Sequence, residues 1–247
     1  MPDGNVRGAH RTLPVGPRRF GAASEVASLS VHPIERLRYV ARAGWGAPEM
    51  LAAEAAYALA DLAQREAPAV LPACRRLLDR HPDCGPMWWM AARVITAGDP
   101  MAEAQWCAER LESDPTDELV DEALAPGARV VRRGGIGEVA SADVVVVRAD
   151  AIGPGGMVVD GDVLGLLEAA RVVEVPVWVE AGVGRVLPPR LWEALVRKVD
   201  AAVSERTGAV ADLGAVARVV GPSGAQTPAV ALAGTDCPEP PELLTRW

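Results

Sequence analysis

The chain has 247 residues, 25 Lys and Arg against 33 Asp and Glu, a formal net charge of −8, and an apolar half. That length supports one large or two modest domains with real cores, and a charged content of 23% is ordinary for a soluble globular protein. The acid excess argues against nucleic acid and anionic lipid as partners, and no run approaches the roughly 18 apolar residues that span a bilayer.

The apolar residues are chiefly Ala, Val and Leu, with seven Trp and one Phe. Ala-rich, Arg-over-Lys usage points to a high-GC bacterial coding bias. Cys74, Cys84, Cys107 and Cys237 form no C-x-x-C pair and have no histidine cluster beside them. They read as buried free thiols in a reducing cytoplasm, so neither a disulfide nor a metal site is expected, and no cofactor motif is present.

Residues 1–30 are rich in Gly, Pro, Arg and Ser without periodicity, and Arg7, Arg11, Arg18 and Arg19 lack an apolar segment beside them. They are predicted to be a disordered leader. From Val31 the pattern becomes helical. Ile34, Leu37, Tyr39 and Val40 make a short helix stopped by Gly44 and Gly46. Pro48 opens a second helix as its first residue, with Met50, Leu51, Ala55, Ala58, Leu59 and Leu62 on one face. Pro68 opens a third, Met87 to Val94 form a fourth, and Asp99-Pro100 caps a fifth that runs to about Leu111. Residues 31–115 are predicted to be a helical domain.

The remainder, 116–247, alternates strands with helices. Gly127–Val131, Asp143–Arg148, Val175–Val179 and Val216–Val220 are short Val-rich runs bounded by turn residues. Helical segments Val163–Val173 and Pro189–Glu205 lie between the last three, which predicts crossovers and a parallel sheet. The fold class is therefore α/β, a helical bundle followed by a Rossmann-like parallel-sheet domain. The Gly/Pro-rich tail from Gly221 is expected to wrap over the surface.

Parallel sheets bind ligands beyond the carboxyl ends of their strands, in crevices where strand order reverses. Asp150 stands at such an end, as a candidate catalytic carboxylate or a turn-capping residue. Gly155 and Gly156, in the loop from Gly153, permit close backbone approach to a ligand or form a plain turn. Asp160 and Asp162 occupy a helix N-terminus, where they satisfy its N–H groups themselves and repel phosphate. Gly182, Gly184 and Arg185 follow the next strand, and Arg185 is the best anion-binding candidate, with a surface pair to Glu180 as its alternative. Trp88, Trp89 and Trp178 occupy core positions. None of the three histidines shows a triad arrangement in the sequence.

The run ADVVVVRADAI, then GGMV, LLEAA and VEVPVWV, resembles the C-terminal stretch of one family. That family joins the alpha, beta and delta subunits of translation initiation factor 2B with methylthioribose-1-phosphate and ribose-1,5-bisphosphate isomerases. The resemblance spans about Asp143–Val179, and by layout alone 31–113. It implies a helical domain before a Rossmann-like one, association as a homodimer, a small phosphorylated ligand, and an acid/base pair of a cysteine and an aspartate. Asp150 matches the aspartate, as R-A-D-A-I against the usual G-A-D-A-I. The cysteine stretch has no counterpart, Thr116–Val144 leaves only about thirty residues for it, and Cys107 is a poor substitute. The Asn-Lys pair after the glycine loop aligns with Val159-Asp160, which exchanges a cation for an anion.

These departures imply a shortened, non-catalytic binding or assembly protein with a degenerate sugar-phosphate or nucleotide pocket. The alternative is an aldose–ketose isomerase that uses Asp150 with Glu180 or Asp162. A role in translation follows from neither.

Overall fold

The computed structural model describes residues 32–43, 47–202 and 208–245. The predicted leader and the far end of the predicted helix Pro189–Glu205 lie outside them. Pro33–Trp247 groups as one unit by its contacts.

The first part comprises α1 (Pro33–Arg42), α2 (Pro48–Glu66), α3 (Val70–Arg80), α4 (Gly85–Thr96) and α5 (Pro100–Glu112). In α2, Ala52, Ala55, Ala56, Ala58 and Leu59 are buried, and α5 lies along them with Ala104, Cys107 and Ala108. Small side chains on both faces let the two backbones pack closely. Pro68 does not open α3 directly. A 3-10 turn over Ala67–Ala69 intervenes, and the helix proper begins at Val70. Asp99 caps α5 as expected, its carboxylate accepting from the Met101 and Ala102 amides. In α4 the Trp88 and Trp89 rings are buried, and their indole N–H groups donate to Pro82 O and Asp236 Oδ1, both at 2.9 Å.

The second part begins with a helix the sequence pattern did not reveal, α6 (Thr116–Ala123), which buries Val120 and Thr116. There follow β1 (Val130–Val131), α7 (Ile136–Val139), β2 (Val144–Arg148), β3 (Ala151–Gly153), β4 (Gly156–Val159), α8 (Gly161–Val172), β5 (Val177–Glu180), α9 (Pro189–Ala201), β6 (Ala209–Ala211), β7 (Val216–Gly221), β8 (Gly224–Gln226) and α10 (Pro228–Ala233). Among the described residues the main sheet runs β1-β2-β5-β7-β8, parallel except for the β7–β8 hairpin.

Its parallel strands lie in sequence order, so the strand-order reversal expected beside Asp150 is absent. The second correction is at the glycine loop. Pro154 and Gly155 turn a hairpin, and β3-β4-β6 form a separate antiparallel sheet. Third, the predicted strand at Gly127–Val131 shrinks to its last two residues, and the tail from Gly221 contributes β8 and α10 before it crosses the helices.

The Val run explains the layering. Val145 and Val147 join one core with Ile152, Val177, Val179 and Leu166 of α8, while Val144 and Val146 join another with Val120 of α6. A strand buried on both faces reads as a continuous apolar run. The helical bundle shares its core with Ala151, Val158, Leu191 and Trp192, so the hairpin and α9 are packed directly on it.

Candidate functional site

Asp150 leaves the carboxyl end of β2 and is fixed by its backbone on both sides. Its amide donates to Val158 O at 2.7 Å, and its carbonyl accepts from the Gly85 amide at 3.0 Å. A side chain at Gly85 would bring a Cβ within 2.5 Å of that carbonyl, so the start of α4 presses on the end of β2. Burial pushes the Asp150 carboxyl up, Arg185 draws it down, and Asp83 and Asp160 push it up again, to about 6.

Arg185 lies beside it, with only 4% of its side chain exposed. Its Nη1 donates to Ala149 O at 2.6 Å and lies 3.5 Å from Asp150 Oδ1, while Nη2 donates to Glu49 Oε2 at 2.6 Å. Glu49 comes from the first turn of α2, where a carboxylate also suits the helix dipole. From Glu49 the charges continue in alternation. Arg148 of β2 reaches Glu49 at 3.3 Å, Asp117 at 2.8 Å and the buried Glu180 at the end of β5. Arg132 then binds Glu180 at 3.0 Å and Asp121 at 3.7 Å. Glu180 therefore pairs with Arg148 and Arg132, not with Arg185 as the sequence alternative had it. Glu49, Asp117, Arg148, Glu180 and Arg185 line a cavity of about 190 Å³ that their own ion pairs largely satisfy.

A cysteine also stands near Asp150, but it is Cys84, the residue before α4. Cys107 lies elsewhere, among Arg93, Glu103 and Asp236. The Cys84 thiol is buried, lies 3.6 Å from Pro48 O, and is pushed up to about 12 by burial despite the opposing pull of Arg185. A thiol in that state is protonated at neutral pH and is a poor proton relay.

The other predicted residues divide. Gly155 and Gly156 are taken up by the β3–β4 turn, where Gly156 has φ +147 and a Cβ would meet Ala211 O at 2.5 Å. Asp162 sits exposed in the first turn of α8, its amide bonded to Asp160 Oδ1 at 3.3 Å, so that helix end is capped as expected. Gly182 has no room for a Cβ against Asp114, whose Oδ2 accepts from the Val183 amide at 2.7 Å. Gly184 has φ +75 and lies against Pro86 and Trp89.

Gly182 and Gly184 line a second cavity of about 290 Å³ beyond the exits of β5 and β7, together with Arg110 and Asp236. The structure thus brings Asp150 and Arg185 together, sets Gly182 between two cavities and places Gly184 on the second alone. Glu49, Asp83, Cys84 and Arg110 were missed, because nothing in their local sequence places them at this sheet edge; Arg148, which ends the predicted strand, was not singled out as a site residue although its position was legible. Among the described residues no group of three His, Cys, Asp or Glu is placed to hold a metal ion, and no helix is long and apolar enough to cross a membrane.

Neither a protein-family model nor a curated protein sequence matches the chain. Solved structures do. A crystal structure of eIF2B beta from Chaetomium thermophilum shares 14% identity at a TM-score of 0.65, over 85% of this chain and 91% of that one. The translation initiation factor eIF-2B of Pyrococcus horikoshii OT3 shares 12% at 0.63, over 81% and 98%. The tetrameric eIF2B-beta2-delta2 complex from C. thermophilum gives 14% at 0.67, over 86% and 98%. At such identities the likeness establishes a shared fold.

Proposed function

We propose, for a chain with the fold of eIF2B subunits, that it is a non-catalytic assembly protein. It forms a homodimer and keeps a degenerate sugar-phosphate or nucleotide pocket at Asp150. The observation that carries this reading is the commitment of Arg185, whose guanidinium is spent on Ala149 O, Asp150 and Glu49 in a nearly sealed position. A phosphate entering there would meet Asp150, Asp160 and Asp83 with no uncommitted cation among the described residues, and each like-charge contact at about 4 Å costs on the order of 4 kcal/mol at an effective dielectric near 20.

Assembly is supported by a groove of about 690 Å³ between α8, β6 and the amino ends of β5 and β7, lined by Leu164, Leu167, Val175, Pro176 and Ala211. Leu164 is exposed there, and Glu168, Arg171, Glu174 and Asp212 line the groove as well, a mix of apolar and charged groups of the kind found at non-obligate interfaces. A second copy is the proposed occupant, since a solved protein of this fold is itself a tetrameric complex. Size-exclusion chromatography with light scattering tests this. A dimer is expected, and a Leu164→Glu variant, with a charge in the groove, is expected to run as a folded monomer. A monomeric parent chain, or a variant that stays dimeric, contradicts the reading.

The isomerase alternative is favoured by one pair of facts, the raised Asp150 carboxyl and the nearness of Cys84. It requires aldose–ketose conversion that Asp150→Asn abolishes.

A further inference from the structure

The two cavities flanking the β5 exit loop differ in one chemical respect. On the Asp150 side the arginines are saturated by carboxylates. On the other side, in the 290 Å³ cavity, the cation is Arg110, and among the described residues no carboxylate lies within 4 Å of it. Arg110 belongs to the last turn of α5, where a cation is favoured by the helix dipole without using its five donors. Its guanidinium carbon lies 6.0 Å from the centre of the Trp106 ring.

Asp236, the one carboxylate among the lining residues, has both oxygens engaged, by Trp89 Nε1 at 2.9 Å and Arg93 Nη1 at 3.0 Å. It is therefore a poor competitor for Arg110. Ser223 in the β7–β8 turn and Gln226 at the end of β8 line the same cavity, and neither side chain bonds another described residue. A forked cation, a hydroxyl and an amide, none hydrogen-bonded to another described side chain, thus line one concavity beyond the carboxyl ends of the parallel strands, and a concavity with a few free polar groups is the usual form of a small-molecule site.

We propose that this cavity is a binding site for a small polyhydroxylated anion. Arg110 holds its carboxylate or phosphate head, and Ser223 and Gln226 bond its hydroxyls. A guanidinium fork suits either head group, and the two share one recognition chemistry. The site is separate from the Asp150 crevice and does not depend on what that crevice does.

The test is a calorimetric titration of the full chain with glucose 6-phosphate, gluconate, glucose and inorganic phosphate. Binding of at least one of the two organic anions is expected, with glucose silent and phosphate weaker. Arg110→Gln should weaken that binding about 10-fold or more, Arg110→Lys less, and Asp150→Asn should leave it unchanged. If Arg110→Gln fails to fold, the Ser223→Ala/Gln226→Ala pair provides the same readout, with a several-fold loss. No heat from either organic anion up to ~10 mM, or binding indifferent to Arg110 and to Ser223/Gln226, overturns the proposal. Binding lost in Asp150→Asn but kept in Arg110→Gln overturns it too, and sinks the sealed-crevice reading separately.

Discussion

A carboxyl held at about 6 instead of 3.8 makes Asp150 a cost to the folded state once it ionises. The folded chain binds the extra proton between those values, so the stability this group contributes is fully present below about pH 4 and is lost as the pH rises through 6. The difference corresponds to about 3 kcal/mol at most. Asp150→Asn removes the charge but keeps the shape. Denaturant unfolding should show it more stable than the parent by up to about 2–3 kcal/mol near pH 8, with the gap closing toward pH 4. A variant less stable at pH 8 would mean that the bond to Arg185 outweighs burial. At this scale the sequence was informative where one segment determines the outcome: a Val run that ends at a strand terminus delivers Asp150 to the sheet edge. It was uninformative for Glu49, which reaches Arg185 from α2, and for Cys84, which comes near Asp150 from the residue before α4, both distant in the chain. For the same reason the alternative it offered to anion binding by Arg185 was a pair with nearby Glu180, where the structure has Glu49.

Elements were legible in proportion to how wide a face they bury. The long helices and the four-valine strand repeat their pattern enough times to be read. Helix α6 has only eight residues and buries Thr116 and Val120 alone, so its apolar pattern repeats too few times to be read. Strands β3 and β4, of three and four residues, are too short for alternation to register, and the glycines between them read as a loop. Those glycines serve packing. The Trp192 ring of α9 lies directly on Gly153, where a Cβ would overlap it. Gly153→Ala is therefore expected to destabilise the chain by about 1–3 kcal/mol through overpacking, read as a lower unfolding midpoint. An unchanged midpoint would show that the hairpin and α9 are free to separate.

For the whole molecule, the α/β order of bundle then parallel sheet was legible, and solved structures of the same fold agree with it. The spatial relation of the two parts was not, because a core shared by α2, α4, β3 and α9 is assembled from residues whose periodicities give no partner. That packing brings Glu49 and the Cys84–Gly85 corner onto the end of β2, and so turns an open sheet edge into a closed network of ion pairs. The same assembly leaves Arg110 uncommitted across β5. Calorimetric titration of ribose 1,5-bisphosphate into the parent chain and Asp150→Asn near neutral pH tests the closure most directly. The account expects no component of the heat to depend on Asp150, whereas a saturable heat that Asp150→Asn abolishes would contradict it.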